Sequence, residues 1–249
     1  MRRSLTAAGL ALAAVFVAVA APGAPAAPER GGARDRARSA QARPAAACRP
    51  RIVQLARGQS APDDLAYSGS QLLVSDVRAG TLGVVRGGRV HTLMGGFAAP
   101  EGIVPLSRIQ AAPDGDTYLP DSENGSLYLL HHGRVRLIAS GMVRPVDALY
   151  WHGAIRVADE YASVIWTISG HHRTRLAPLT LADDLAVVDG RLLAISQFGG
   201  LWEVAPRPRL ISRAFRYLQG LTAAGPDAAV VADETHNTIE RVSGLRPCL

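Results

Sequence analysis

At 249 residues, 48% of them hydrophobic, the chain is long enough for one large domain or two small ones and apolar enough to fill a packed core. All 27 basic residues are arginine, and the net charge of +6 is unevenly placed: residues 1–51 hold nine Arg against Glu29 and Asp35, whereas residues 52–249 hold 18 Arg against 19 acids. The body of the chain thus carries no basic excess, which excludes a nucleic-acid platform built on clustered cationic side chains.

Arg2 and Arg3 precede an apolar or small run from Leu5 to Ala21. The run is shorter than the roughly 20 residues of a bilayer span. Ala18-Val19-Ala20 and Ala24-Pro25-Ala26 follow the A-x-A cleavage pattern. Residues 1–26 are expected to be a secretory signal peptide, cut at residue 20 or 26. Its removal leaves no stable membrane span and a chain that is secreted or held in the periplasm or cell envelope. Residues 27–47 are Ala, Pro, Gly and Arg with almost no large apolar side chain, too little burial to offset ordering entropy, and are expected to be a disordered tether. Cys48 and Cys248 flank the remaining domain, residues 48–249. In an exported chain two cysteines have a single connectivity and are expected to pair. Closing so long a loop is worth roughly 5 kcal/mol at most on the chain-entropy account.

Five similar units follow. The first reads PDDLAY, QLLVSDV, TLGVVRG and RVHTLMG from Pro62 to Gly95. The second holds PEGIV, DTYLPDS, GSLYLLHH and RVRLIAS; the third PVDALYW, AIRVADE, SVIWTIS and RTRLAPL. The fourth, ADDLAVVDGRLLAISQFGGLWEV, continues into RPRLISR, and the fifth has only QGLTAAG, AAVVADE and NTIERVS. A period of about 40 residues with four short strands per unit marks a β-propeller blade. The expected fold is all-β, a five-bladed propeller, with a six-bladed ring as the alternative. The unpartnered run Ile52-Val53-Gln54-Leu55 is placed to supply the outer strand that the fifth unit lacks, closing the ring and removing its open edges.

The phrases ADDLAVVDGRLLAISQFGGLWEV and RPVDALYWHGAIRVADEYASVIWTIS resemble the NHL repeat and the related regucalcin/gluconolactonase propellers over roughly residues 52–245. Gluconolactonase-like members typically hold one divalent cation in the central channel, on a Glu, one or two Asn and an Asp at the starts of inner strands. The resemblance carries the Glu onto Glu101 and the Asp onto Asp183. The Asn falls on Val146, which has no donor atom, with Asp147 beside it.

Independently of family, five-fold geometry brings the entry loops of the inner strands to the channel mouth. They carry Asp63, Asp64, Glu101, Asp147, Asp183, Asp184 and Gln219. Clustered carboxylates must be protonated, paired or metal-bound, and oxygen donors of this kind suit Ca²⁺ or another hard divalent cation. Asp76, Asp121, Asp159 and Asp233 each end a second strand, with Ser196 in the fourth unit, and a position that recurs so regularly is read as architecture. Trp151, Trp166 and Trp202 are read as packing. His131, His132, His152, His171 and His172 fall in turns on the opposite face. His236 shares the acids' face and is the candidate base. Two functions follow. One is a monomeric binding module for a small molecule, glycan or protein at the channel mouth. The other is a divalent-metal-dependent lactone or ester hydrolase using Glu101, Asp183, Asp147 and His236.

Overall fold

The computed structural model describes residues 49–97, 117–131, 134–205 and 208–246. The leader, the tether, Glu101 and both cysteines lie outside the described residues.

Nineteen strands are described, and no helix. Strand β1 (Arg51–Arg57) comes first. Blade one is β2 (Pro62–Ser68), β3 (Gln71–Asp76), β4 (Thr81–Arg86) and β5 (Arg89–Gly95). Blade two shows β6 (Thr117–Asp121), β7 (Ser126–His131) and β8 (Arg134–Ala139). Blade three is β9 (Pro145–Trp151), β10 (Ala154–Asp159), β11 (Val164–Ser169) and β12 (His172–Pro178). Blade four is β13 (Ala182–Val188), β14 (Arg191–Ser196), β15 (Gly200–Glu203) and β16 (Arg209–Ser212). Blade five is β17 (Leu218–Ala223), β18 (Ala228–Asp233) and β19 (Thr238–Ser243). Each blade is an antiparallel sheet in chain order, and β1 lies outside β19 in the last. The protein is therefore a five-bladed β-propeller.

The ring closes through the N-terminal strand, as the sequence predicts. Arg51 pairs with Ser243 and Ile52 with Val242 along β1 and β19. A turn bond repeats the point. In blades one, two and three a residue one to three positions past the outer strand donates its N–H to the carbonyl of the residue before the third strand: Phe97 to Gly80, Met142 to Gly125, Leu179 to Ser163. In blade five the matching bond runs from Gly58 to Asn237, so the chain start takes the place of a fourth strand.

The core lies between blades. Alternate residues of a strand face opposite sides, so a strand between two neighbours must be apolar on both faces. In β18, Ala229 and Val231 pack toward blade four with Leu193, Ile195 and Leu201. Val230 and Ala232 pack toward blade one with Leu65, Leu72 and Val74. In β14, Leu192 and Ala194 face blade three with Leu149 and Ile165. This is why these strands read as unbroken apolar runs. Trp151 and Trp202 pack against the same cluster and Trp166 against that between blades two and three, the packing role expected of them.

The recurring strand-end acids clamp the loops that lead into inner strands. Asp76 accepts the N–H groups of Ser60 (2.7 Å), Ala61 (3.1 Å) and Ala79 (2.9 Å). Asp159 accepts those of Val143 (3.0 Å) and Arg144 (2.7 Å) together with Trp166 Nε1 (2.9 Å). Asp233 accepts the Arg216 N–H (2.9 Å). In blade four Ser196 keeps the connection with the donor reversed, its hydroxyl giving to the Thr180 carbonyl at 2.6 Å.

Candidate functional site

The entry loops converge on a cavity of about 960 Å³ at the channel mouth. Asp63, Asp64, Asp147, Asp183, Asp184 and Gln219 all line it, so the structure brings together every described acid expected there. Sequence alternation alone would send adjacent acids to opposite faces. The register explains why it does not. Ala182 pairs with Ser196 and Leu185 with Ala194, which leaves Asp183 and Asp184 opposite the single residue Ile195. Pro62 pairs with Asp76 and Leu65 with Val74, so Asp63 and Asp64 form the same bulge. A bulge re-aims side chains that a regular strand would alternate.

The paired acids then divide their work. The second position, Asp147 in blade three and Asp184 in blade four, ties neighbouring inner strands together. Asp147 accepts the Leu185 N–H of the next blade at 2.9 Å and the Ala148 N–H at 2.7 Å. Asp184 accepts the Leu221 N–H of its next blade at 2.7 Å. Blade five has Gly220 here, where a Cβ would collide with the backbone carbonyl of Asp63. Burial raises Asp147, against hydrogen bonds from the Asp184 side chain and from Leu185 and Ala148. Burial raises Asp184 further, reinforced by the charges of Asp147, Asp64 and Asp183. The charged form of Asp184 is therefore disfavoured more than that of Asp147.

The first acid of the blade-four pair is different. Asp183 Oδ2 is buried and has no hydrogen-bond partner. Burial holds this carboxyl well above the ordinary carboxylate range, the charges of Asp63, Glu160 and Asp147 add to that, and a hydrogen bond from Gln197 opposes it. An amide chain fixes the donor: Gln219 Nε2 gives to the Tyr217 hydroxyl at 2.8 Å, and Gln197 Nε2 gives to Gln219 Oε1 at 3.3 Å. Tyr217 is pushed up to about 12 by burial and by the charges of Glu234, Asp183, Glu160 and Asp63. Phe198, 69% exposed, stacks on the Tyr217 ring at 4.8 Å. On the rim, Arg144 is paired with buried Glu160 and lies over the Tyr161 ring at 5.0 Å.

Glu160, Gln197, Tyr217 and Arg144 are not among the candidates drawn from sequence. Glu160 and Gln197 occupy the position just after the strand-end acid, which reads Val77, Ser122, Glu160, Gln197 and Glu234 around the ring. The first four of these line the cavity. A position that changes from blade to blade is free to serve a site, and that variation is the available signal.

His236 is held by Asp233, its Nδ1 lying 2.7 Å from Oδ2, with the side chain 48% exposed. It is not among the residues that line the cavity. His236→Ala is expected to cost no more than about 1 kcal/mol, as for a half-exposed pair, and to leave ligand affinity unchanged; thermal unfolding and titration check both.

No protein-family model matches the sequence, and no curated protein matches it. Solved structures do match. A candidate gluconolactonase aligns over 80% of this chain and 94% of its own, with TM-score 0.60 and 14% identity. A candidate glucose dehydrogenase from Thermus thermophilus aligns over 78% and 99%, with TM-score 0.57 and 13% identity. The chain has the fold of the gluconolactonase-like propellers. A Bacteroides thetaiotaomicron protein of unknown function shares it as well, at TM-score 0.57 and 12% identity over 77% of this chain and 75% of that one.

The resemblance seen in the sequence carries with it the expectation of a divalent cation. The unpartnered Asp183 oxygen is a suitable donor for one. The rest of the described set does not fit: Val146 offers no donor, and both Asp147 oxygens already hold backbone N–H groups. Among the described residues no three His, Cys, Asp or Glu side chains are grouped to share a metal ion.

Proposed function

We propose that this chain is an exported, monomeric β-propeller that binds a small ligand at the mouth of its central channel. The observation that carries the reading is a preformed cavity of about 960 Å³ at the channel mouth whose wall gathers the entry-loop acids, Asp183 among them. The cavity size is typical of small-molecule sites, which run to about 1,000 Å³. The amide chain from Tyr217 through Gln219 and Gln197 fixes the carboxyl before any ligand arrives, so little orientation entropy is lost on binding.

The second reading, a metal-dependent lactone or ester hydrolase, draws on the fold shared with the candidate gluconolactonase and on Asp183. Thermal unfolding with EDTA and with millimolar Ca²⁺, Mg²⁺ or Mn²⁺ separates the two. The binding-module reading expects coincident curves. A cation bound only by the native state at one hundred times its Kd adds about 2.7 kcal/mol. A rise of that size, lost in Asp183→Asn and accompanied by lactone hydrolysis, would replace the first reading with the second.

A further inference from the structure

We infer that the face opposite the channel mouth is an electrostatic docking surface for an anionic lipid bilayer, carried by a ring of arginines with one from each blade. This goes beyond the ligand-binding reading and does not depend on what the mouth takes up.

The ring follows from strand direction. Inner strands start at the mouth, and the four strands of a blade alternate in direction, so every outer strand starts on the opposite face. Outer strands β1, β5, β8 and β16 begin with Arg51, Arg89, Arg134 and Arg209, and β12 begins with His172 and Arg173. An exposed arginine therefore stands at nearly the same position in all five blades.

Little on that face offsets this charge. Its described acids, Asp189, Glu203 and Asp227, are already engaged. Glu203 pairs with Arg209 at 2.6 Å and with Arg191 at 3.6 Å. Asp189 pairs with Arg246 at 3.3 Å, and Asp227 accepts the Arg246 N–H at 2.6 Å. Arg51, Arg89 and Arg134 make no ion pair among the described residues. The entry-loop acids all lie at the mouth. A body whose 18 Arg and 19 acids nearly cancel is thus polarised, and an anionic plane attracts one face and repels the other.

Spacing selects the partner. An outer strand lies three strand spacings, roughly 15 Å, beyond its inner strand, so the arginines stand at the perimeter of the ring. No small anion bridges two of them. Nor do they form the cluster on which a nucleic-acid backbone is gripped. A flat anionic surface meets all five together, and docked in this way it leaves the mouth open to its ligand. Each arginine at such a surface raises partition by about fivefold, an effect confined to about a Debye length.

The test is co-sedimentation of the full mature chain with vesicles of phosphatidylcholine and with vesicles of equal parts phosphatidylcholine and phosphatidylglycerol. The expected result is binding to the anionic vesicles alone, lost near 1 M salt, where the Debye length is about 3 Å. Arg51→Gln, Arg89→Gln and Arg134→Gln should each weaken it by about fivefold, and the triple variant by about a hundredfold. Arg57→Gln is the matched control. It removes the same charge from the same strand, β1, but at the mouth end. That end is about 20 Å away, beyond the Debye length, so binding should not change. All four side chains are exposed, and each variant should melt with the parent. Equal binding to both vesicles, no binding to the anionic ones, or equal losses in Arg51→Gln and Arg57→Gln would overturn the inference. So would undiminished binding of the triple variant, which would assign the contact to the arginines of residues 27–47. Soluble polyphosphate bound more tightly than the vesicles would overturn the bilayer in favour of a phosphate polymer.

Discussion

Asp159→Ala should remove about 3–6 kcal/mol of folding stability. Asp159 is fully buried, at 0% exposure, and receives three donors: the N–H groups of Val143 and Arg144 and the indole N–H of Trp166. Alanine cannot replace any of these bonds. Each donor left unmet costs about 1–3 kcal/mol, with partial relief as the loop relaxes toward water. A domain is stable by only about 5–15 kcal/mol in total. At roughly 2–4 °C per kcal/mol for this size, the midpoint should fall by about 10–20 °C. Asp159→Asn, which keeps one oxygen acceptor, should lose clearly less. A loss in Asp159→Ala no larger than that in Asp159→Asn would disprove the clamp. The consequence reaches the site as well, because the clamped loop carries Arg144, which holds Glu160 and Tyr161 at the cavity rim.

The propeller is readable in the sequence because its signals are local and repeated. Each unit places an apolar run, a turn and a strand-end polar residue, an acid in all but the fourth, at the same offsets, and the unpaired Ile52–Leu55 run matches the strand missing from the fifth unit. The entry-loop acids are readable for the same reason. How they share their work is not. Whether Asp183 and Asp184 point one way or two depends on the bulge between Ala182 and Leu185, and a bulge is a property of pairing with β14. The girdle from Asp147 to Leu185 and from Asp184 to Leu221 joins residues in different blades, beyond any local pattern. Gln197 and Glu160 escape notice because they break the repeat, and the fold is recognised by what repeats. His236 shows the opposite error: its place in a turn suggests a face, but its partner is the structural acid Asp233 three residues earlier. The inner strand expected at Glu101 and the Cys48–Cys248 pair fall outside the described residues.

Asp183→Asn should raise stability at neutral pH by removing a charge that the fold disfavours. Burial, then the charges of Asp63 and Glu160, hold the Asp183 carboxyl above its ordinary value. A group raised in the folded state binds its proton more tightly there than in the unfolded chain. Its contribution is complete below the unfolded value, about 3.9 for Asp, and is lost as pH rises through the folded value. Asp184 follows the same sign. Asp76 has the opposite one. Burial pushes it up, but bonds from the Ser60 hydroxyl and from the N–H groups of Ala79, Ser60 and Ala61 together hold it below the ordinary value. Its contribution is present above the unfolded value and lost as pH falls through the folded one. Stability should therefore peak on the mildly acidic side and decline toward neutrality. The amide carries no charge at any pH, so the variant should gain at neutral pH and little near the ordinary Asp value. A gain of about 1 kcal/mol corresponds to about 2–4 °C in the midpoint. Paired melting curves of the two proteins across that range give the comparison directly. A loss of stability at neutral pH would contradict the assignment of Asp183 as a destabilising buried acid. A gain would mark Asp183 as a residue that costs the fold stability, a trade common at functional sites.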